Sequence, residues 1–164
     1  MLCEVLRGSV GFLGIGNIDR ADDGAGMVLA RLLRELGTSD VFEGGTTPER
    51  IAPALRKGAY DTIVFLDAVE AGLEPGAVII LNAEEIKSRF PQVSTHKLSL
   101  ATLAGLVSEG KTNSVWLIGI QAQTITMGNA TLSDAVNSTI HLLAGRIAQA
   151  TAAPVRAYRE QLCI

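Results

Sequence analysis

The chain has 164 residues, of which 48% are hydrophobic, 19% charged and only 4% aromatic, and its net charge is −3. That length builds one domain, 1–164, with a core of Leu, Ile, Val and Ala rather than aromatic rings. The slight acidity excludes the broad basic field of a nucleic-acid binder, and Arg156 and Arg159 near the end are too few to restore one. Two cysteines, Cys3 and Cys163, show no CxxC spacing and cannot make a structural zinc site of thiolates. Met1–Arg7 lacks the pattern of a signal peptide, and no apolar run reaches the roughly 18 residues of a membrane span. A cytoplasmic location is the expectation.

In chain order, Ser9–Ile15 is a nearly continuous apolar run, as in a strand buried on both faces. Gly24–Leu36 reads as a helix with Val28, Leu29, Leu32, Leu33 and Leu36 on one face, Asp22 and Asp23 at its start and Gly37 as its stop. Asp40–Glu43 is a short second strand, after which Gly44-Gly45 turns the chain. Thr46-Thr47-Pro48-Glu49 carries a capping box and an early proline, predicting a helix from about Pro48 to Lys57. Thr62–Asp67 is a third strand ending in a carboxylate. The loop to Ala77–Leu81 is too short for a parallel crossover, so this fourth strand should run antiparallel to the third. Helices over Ala83–Arg89 and Lys97–Ser108, a strand over Ser114–Ile120 and a helix over Ser133–Gln149 complete the pattern, leaving 150–164 as a peripheral tail.

This alternation predicts an α/β three-layer sandwich: a five-stranded, mainly parallel sheet with one antiparallel strand and helices on both faces. Ligand sites in such sheets form beyond the C-terminal strand ends, which selects Asn17–Asp23 and Asp67–Glu70, both acidic. A dinucleotide site is excluded at Gly14-Ile15-Gly16, because Asp19 stands where the third glycine belongs and repels a pyrophosphate. The stretch from Asp19 to Gly24 also fails as a calcium loop, with Ala21 at the third position and Ala30 at the closing one.

Asp22 and Asp23 repel each other as neighbours, so one is expected to cap the helix and the other to face the crevice; the local pattern permits either assignment. Asp67 follows Ile63-Val64-Phe65-Leu66, so its carboxylate is expected to be buried and to need a cation, a metal or the amides of the next loop. His96, just before a helix, is either a surface or capping residue or an imidazole that joins the two acids. His141 lies inside the closing helix, away from that edge. Ser94, Ser99 and Thr46 are near the site loops, but none occupies a nucleophile elbow. Two carboxylates and one imidazole form a mixed O,O,N set suited to zinc, nickel or another borderline divalent ion.

Gly14-Ile15-Gly16-Asn17 followed by Asp22-Asp23-Gly24-Ala25-Gly26 resembles the opening motif of the hydrogenase maturation endopeptidases. Gly44-Gly45-Thr46, Leu66-Asp67-Ala68, Ser94-Thr95-His96, Gly119-Ile120-Gln121 and Leu132-Ser133 follow in that family's order. The resemblance implies a mixed five-stranded sheet and a metal position made by Asp23, Asp67 and His96, which would also be the catalytic set. It implies a substrate too: the precursor of a [NiFe]-hydrogenase large subunit, whose C-terminal extension is removed after nickel insertion. Nickel is then expected to arrive with the substrate, another divalent metal substituting in isolated protein, while Gly44, Gly45 and Thr46 place the substrate backbone. A non-catalytic nickel-sensing chaperone and an unrelated small metallohydrolase are the alternatives. Two departures stand out: Ala21 where the family commonly has glycine, and Ala122 where it often has proline.

Overall fold

The computed structural model describes residues 2–90 and 98–152. Helix α1 (Leu2–Val5) precedes strand β1 (Val10–Ile15), helix α2 (Ala25–Glu35) and strand β2 (Val41–Gly45). Helix α3 (Ala52–Lys57) leads to β3 (Thr62–Val69) and β4 (Val78–Asn82). Helices α4 (Ala83–Arg89) and α5 (Leu100–Ser108), strand β5 (Ser114–Gln121) and helix α6 (Asp134–Thr151) follow.

The five strands form one sheet in the order β2-β1-β3-β5-β4, parallel except for β4 against β5. Alternating side chains fill two cores. Phe12, Val64, Leu66, Ile118 and Ile120 pack with residues of α2 and α6. Leu13, Ile63, Phe65 and Leu117 pack with residues of α3, α4 and α5 on the other face. The three-layer α/β sandwich is thus the one predicted, with β4 antiparallel as expected but hydrogen-bonded to β5 rather than to β3.

The differences in element limits have local causes. The capping box expected from Thr46 and Glu49 does not start α3: a 3-10 turn spans Pro48–Arg50, its N-cap Thr47 makes no side-chain cap bond, and α3 begins only at Ala52. The box that does form is at α4, where Asn82 accepts from the Glu85 N–H at 3.0 Å and Glu85 accepts from the Asn82 N–H at 2.9 Å. Leu36, assigned to the apolar face of α2, is exposed just past the helix end, whereas Leu29 and Leu33 are fully buried.

The outer edge of β2 is tied to α2. Arg31 Nε and Arg34 Nη1 donate to the two Glu43 carboxylate oxygens at 3.0 and 2.7 Å, and Arg34 Nη2 donates to the Val41 carbonyl at 3.0 Å. Burial alone would raise the Glu43 carboxyl, but the bonds and charges of both arginines outweigh it and hold the group below the usual carboxylate range. A carboxyl depressed in the folded state stabilises above its unfolded pKa, and that contribution vanishes as pH falls through the folded value. Glu43→Gln is therefore expected to cost about 0.5–1 kcal/mol at neutral pH. Paired urea melts should show the gap between variant and wild type closing below a pH of about 4.

Candidate functional site

The connection from β1 to β2 carries α2 on one face, and that from β2 to β3 carries α3 on the other, so the winding reverses between β1 and β3. The crevice of an open α/β sheet forms at such a reversal, beyond the strand ends. Glycines let α2 sit directly on the sheet there. A methyl group on Gly26 would lie 2.0 Å from the Leu66 carbonyl oxygen and 2.5 Å from that of Ile15. Gly16, at φ +128°, passes so close to the segment before α2 that a methyl on it would lie 1.9 Å from the Asp23 carbonyl oxygen. The glycines of the opening motif thus provide close packing of helix on strand, not a phosphate cradle.

The two adjacent acids sit in a 3-10 turn, Ala21–Gly24, and both are buried. Asp22 reaches far along the chain. Its Oδ2 accepts from the Gln123 N–H at 2.8 Å, the Thr124 N–H at 3.0 Å and the Ser133 hydroxyl at 2.9 Å, and its Oδ1 from the Ser133 N–H at 2.7 Å. Asp23 Oδ2 accepts from the Asn17 N–H at 3.1 Å, closing the loop that leaves β1. The expectation that one acid caps α2 is corrected: the N-cap position is Gly24, with no side-chain cap bond, because the turn before the helix directs Asp22 to distant amides. From sequence Asp22 is either the capping or the crevice-facing acid, and Ser133 enters only through the Leu132-Ser133 motif; the bonds between the two are not anticipated there.

Main-chain bonds join the loop bearing these acids to the one after β5: Asp22 N–H to the Thr124 carbonyl at 3.0 Å, Gly128 N–H to the Asp19 carbonyl at 2.9 Å, and Ala21 N–H to the Asn129 carbonyl. Ala21 is buried and held at φ +48°, in the left-handed region. That explains why glycine suits this position.

Asp67 is not the last residue of β3, as the sequence suggested. Pairing with β1 stops at Gly14–Leu66, but pairing with β5 continues through Asp67–Gly119 to Val69–Gln121. Asp67 therefore stands one step beyond the last β1–β3 pair while still held on its other side by β5. It is buried and accepts from the Ala68 N–H at 2.9 Å. Two strand positions later, buried Gln121 organises the next loop: Oε1 accepts from the Ala71 and Leu73 N–H groups at 2.8 and 3.2 Å, while Nε2 donates to Glu70 at 3.1 Å and the Ala122 carbonyl at 2.9 Å. Its place in the Gly119-Ile120-Gln121 motif was the available signal.

Gly45 pairs with Ile15 and accepts from the Gly16 N–H at 3.1 Å, so the Gly44-Gly45-Thr46 segment reaches the same end of the sheet. Ser99 caps α5 by accepting from the Thr102 N–H at 3.1 Å, which accounts for its hydroxyl. His96, with Ser94 and Thr95, lies outside the described residues, as does Cys163. Among the described residues no group of three His, Cys, Asp or Glu side chains forms a metal site. The fold thus brings two buried carboxylates, Asp23 and Asp67, to the β1–β3 crevice. Hard oxygen donors of this kind fit a divalent ion that also takes an imidazole.

A family model described as hydrogenase maturation protease matches residues 27–150, a span that includes Asp67 and Gln121 but begins after the opening motif. The hydrogenase 3 maturation protease of Escherichia coli K12 is 32% identical over 111 residues, 66% of this chain and 70% of that one. The crystal structure of a [NiFe] hydrogenase maturation protease, HycI, from Thermococcus kodakarensis KOD1 superposes with a TM-score of 0.83 at 30% identity, covering 93% of this chain and 99% of that one. HybD, a [NiFe] hydrogenase maturation protease from the same species, gives a TM-score of 0.74 at 28% identity over 88% and 99% of the two chains.

Two stability predictions follow from the turn. Asp22→Asn places an amide donor against N–H donors in a buried pocket, and is expected to cost about 2–4 kcal/mol in urea denaturation. Ala21→Gly relieves the left-handed alanine and should raise stability by roughly 1 kcal/mol, part of the gain being offset by the greater freedom of the unfolded chain. A loss of stability in Ala21→Gly would contradict the assigned backbone.

Proposed function

The chain belongs to the hydrogenase maturation protease family, a family of peptide hydrolases, and on that premise we propose that it trims the C-terminal extension from the precursor of a [NiFe]-hydrogenase large subunit once nickel has been inserted. The observation that carries the proposal is the pair of buried acids, Asp23 in the turn between β1 and α2 and Asp67 on β3 just past its pairing with β1, where the sheet reverses its winding. Carboxylates placed at such a crevice supply oxygen donors for a divalent cation brought by a substrate.

In this reading nickel belongs to the substrate. Asp23, Asp67 and His96 would complete the coordination of an ion the precursor already holds, whose Lewis acidity would favour addition of water to the adjoining peptide carbonyl with release of the C-terminal amine. A ligand set of two carboxylates and one imidazole holds nickel or zinc more loosely than thiolate-rich sites do. Isolated protein would then be largely metal-free, and cleavage would wait for nickel insertion. The main chain of Gly44-Gly45-Thr46 permits close approach of the substrate backbone beside the acids.

The test supplies metal-stripped protein with nickel-loaded and nickel-free precursor, in a chelator too weak to extract inserted nickel. Only the loaded precursor should shorten; equal processing of both, or efficient cleavage of a generic unfolded protein, would overturn the proposal. Asp67→Asn keeps the side-chain shape while removing the charge. It is expected to lower processing by at least about 100-fold, within the range seen when a catalytic electrostatic group is removed, with the fold retained by circular dichroism. Near-normal cleavage by this variant would reduce Asp67 to a hydrogen-bonding strand residue.

A further inference from the structure

Eight large hydrophobic side chains are exposed among the described residues, and four of them, Ile18, Leu73, Ile125 and Met127, lie on the loops that follow β1, β3 and β5. The other four are dispersed: Leu36 past α2, Val78 on the edge strand β4, Leu106 on α5 and Leu142 on α6. Single exposed hydrophobics need no explanation, but several gathered beside a crevice mark an interaction surface.

The three loops form one connected frame. The 17–23 loop is bonded to the 122–129 loop through the pairs Asp22–Thr124, Ala21–Asn129 and Gly128–Asp19. The 70–73 loop is bonded to the end of β5 through Gln121. The apolar side chains are thus carried on backbone anchored by the Asp22 and Gln121 bonds, so little conformational freedom remains to be lost when a partner covers them. The segment from Thr124 to Met127 alternates polar and apolar residues, and Met127 is 67% exposed. The exposed charged groups on these loops, Asp19, Glu70 and Glu74, are all acidic, and half-buried Arg20 is the nearest base in the sequence.

We infer that Ile18, Leu73, Ile125 and Met127 form the surface on which the large-subunit precursor docks, through an apolar face bordered by basic residues. This rests on the reading given under Proposed function, because it is the cleavage site at Asp23 and Asp67 that brings a polypeptide substrate against these loops. The acidic margin favours a basic border on the partner, and the apolar centre supplies the desolvated contact that sustains binding. Docking through this surface is separate from recognition of the scissile bond: it sets how tightly the precursor is held, not the rate of cleavage once bound.

The experiment compares Ile125→Asp/Met127→Asp with Leu142→Asp, which removes a side chain 72% exposed on α6, outside the loop frame. Binding of nickel-loaded precursor is measured by surface plasmon resonance and processing by single-turnover cleavage at saturating precursor. The loop variant should weaken binding by about tenfold or more, leaving the saturated cleavage rate within about twofold because the reacting groups are untouched. Leu142→Asp should match wild type in both. A milder pair, Ile18→Ser/Leu73→Ser, should weaken binding in the same direction, and thermal melts confirm that each variant is folded. Equal affinity in the loop variants and Leu142→Asp would overturn the inference. So would a wild-type dimer that the loop variants split without loss of precursor binding, which would assign the surface to a second copy of this chain. If wild type binds the precursor through these residues but does not cut it, the cleavage reading fails and the docking surface stands.

Discussion

The buried carboxylate of Asp22 is the interaction on which the arrangement of this end of the molecule depends. It accepts four hydrogen bonds from residues 101 to 111 positions away, joining the start of α2 to the exit of β5 and the first turn of α6. An anion taken out of water in this way is retained only where its acceptor sites are satisfied, and four donors meet that requirement. The same bonds fix the loop after β5, so the opening motif and the closing helix share one anchor.

Asp22 and Asp23 illustrate how adjacent identical side chains acquire different work. In the 3-10 turn they point to different partners, Asp22 to the β5–α6 connection and Asp23 to the Asn17 amide. The first holds the frame; the second stays beside the β1–β3 crevice, where Asp67 follows the last residue of β3 that pairs with β1. Gln121 does for the loop after β3 what Asp22 does for the loop after β5. The polar groups buried at this end of the sheet therefore divide into Asp22 and Gln121, which hold loops, and Asp23 and Asp67, which lie beside the β1–β3 crevice.

Much of the architecture was legible in the sequence. Buried strands read as apolar runs, α4 matched its predicted limits because its start signal is local, and the short β3–β4 loop required a reversal of direction. The acidic strand ends and the family motifs led to Asp23 and Asp67. What was hidden depends on distance along the chain. No window of sequence contains both Asp22 and Ser133, so the task of the first acid could not be read locally. The extension of β3 past Asp67 is set by β5, which follows it in the chain, and the Thr46–Glu49 pattern looked sound although a 3-10 turn stands there instead. His96 remains an assignment from the motif, outside the described residues.

The absence of a side chain at Gly26 has a mechanical consequence. With the helix backbone in direct contact with the Leu66 and Ile15 carbonyl oxygens, no compressible layer separates α2 from the sheet. Rocking the helix inward would drive backbone into backbone, and sliding it would break the Asp22 bonds. The two carboxylates are consequently mounted on a stiff base that resists induced fit. Conformational adjustment during an encounter then falls chiefly to the partner polypeptide, which must shape itself to a fixed template.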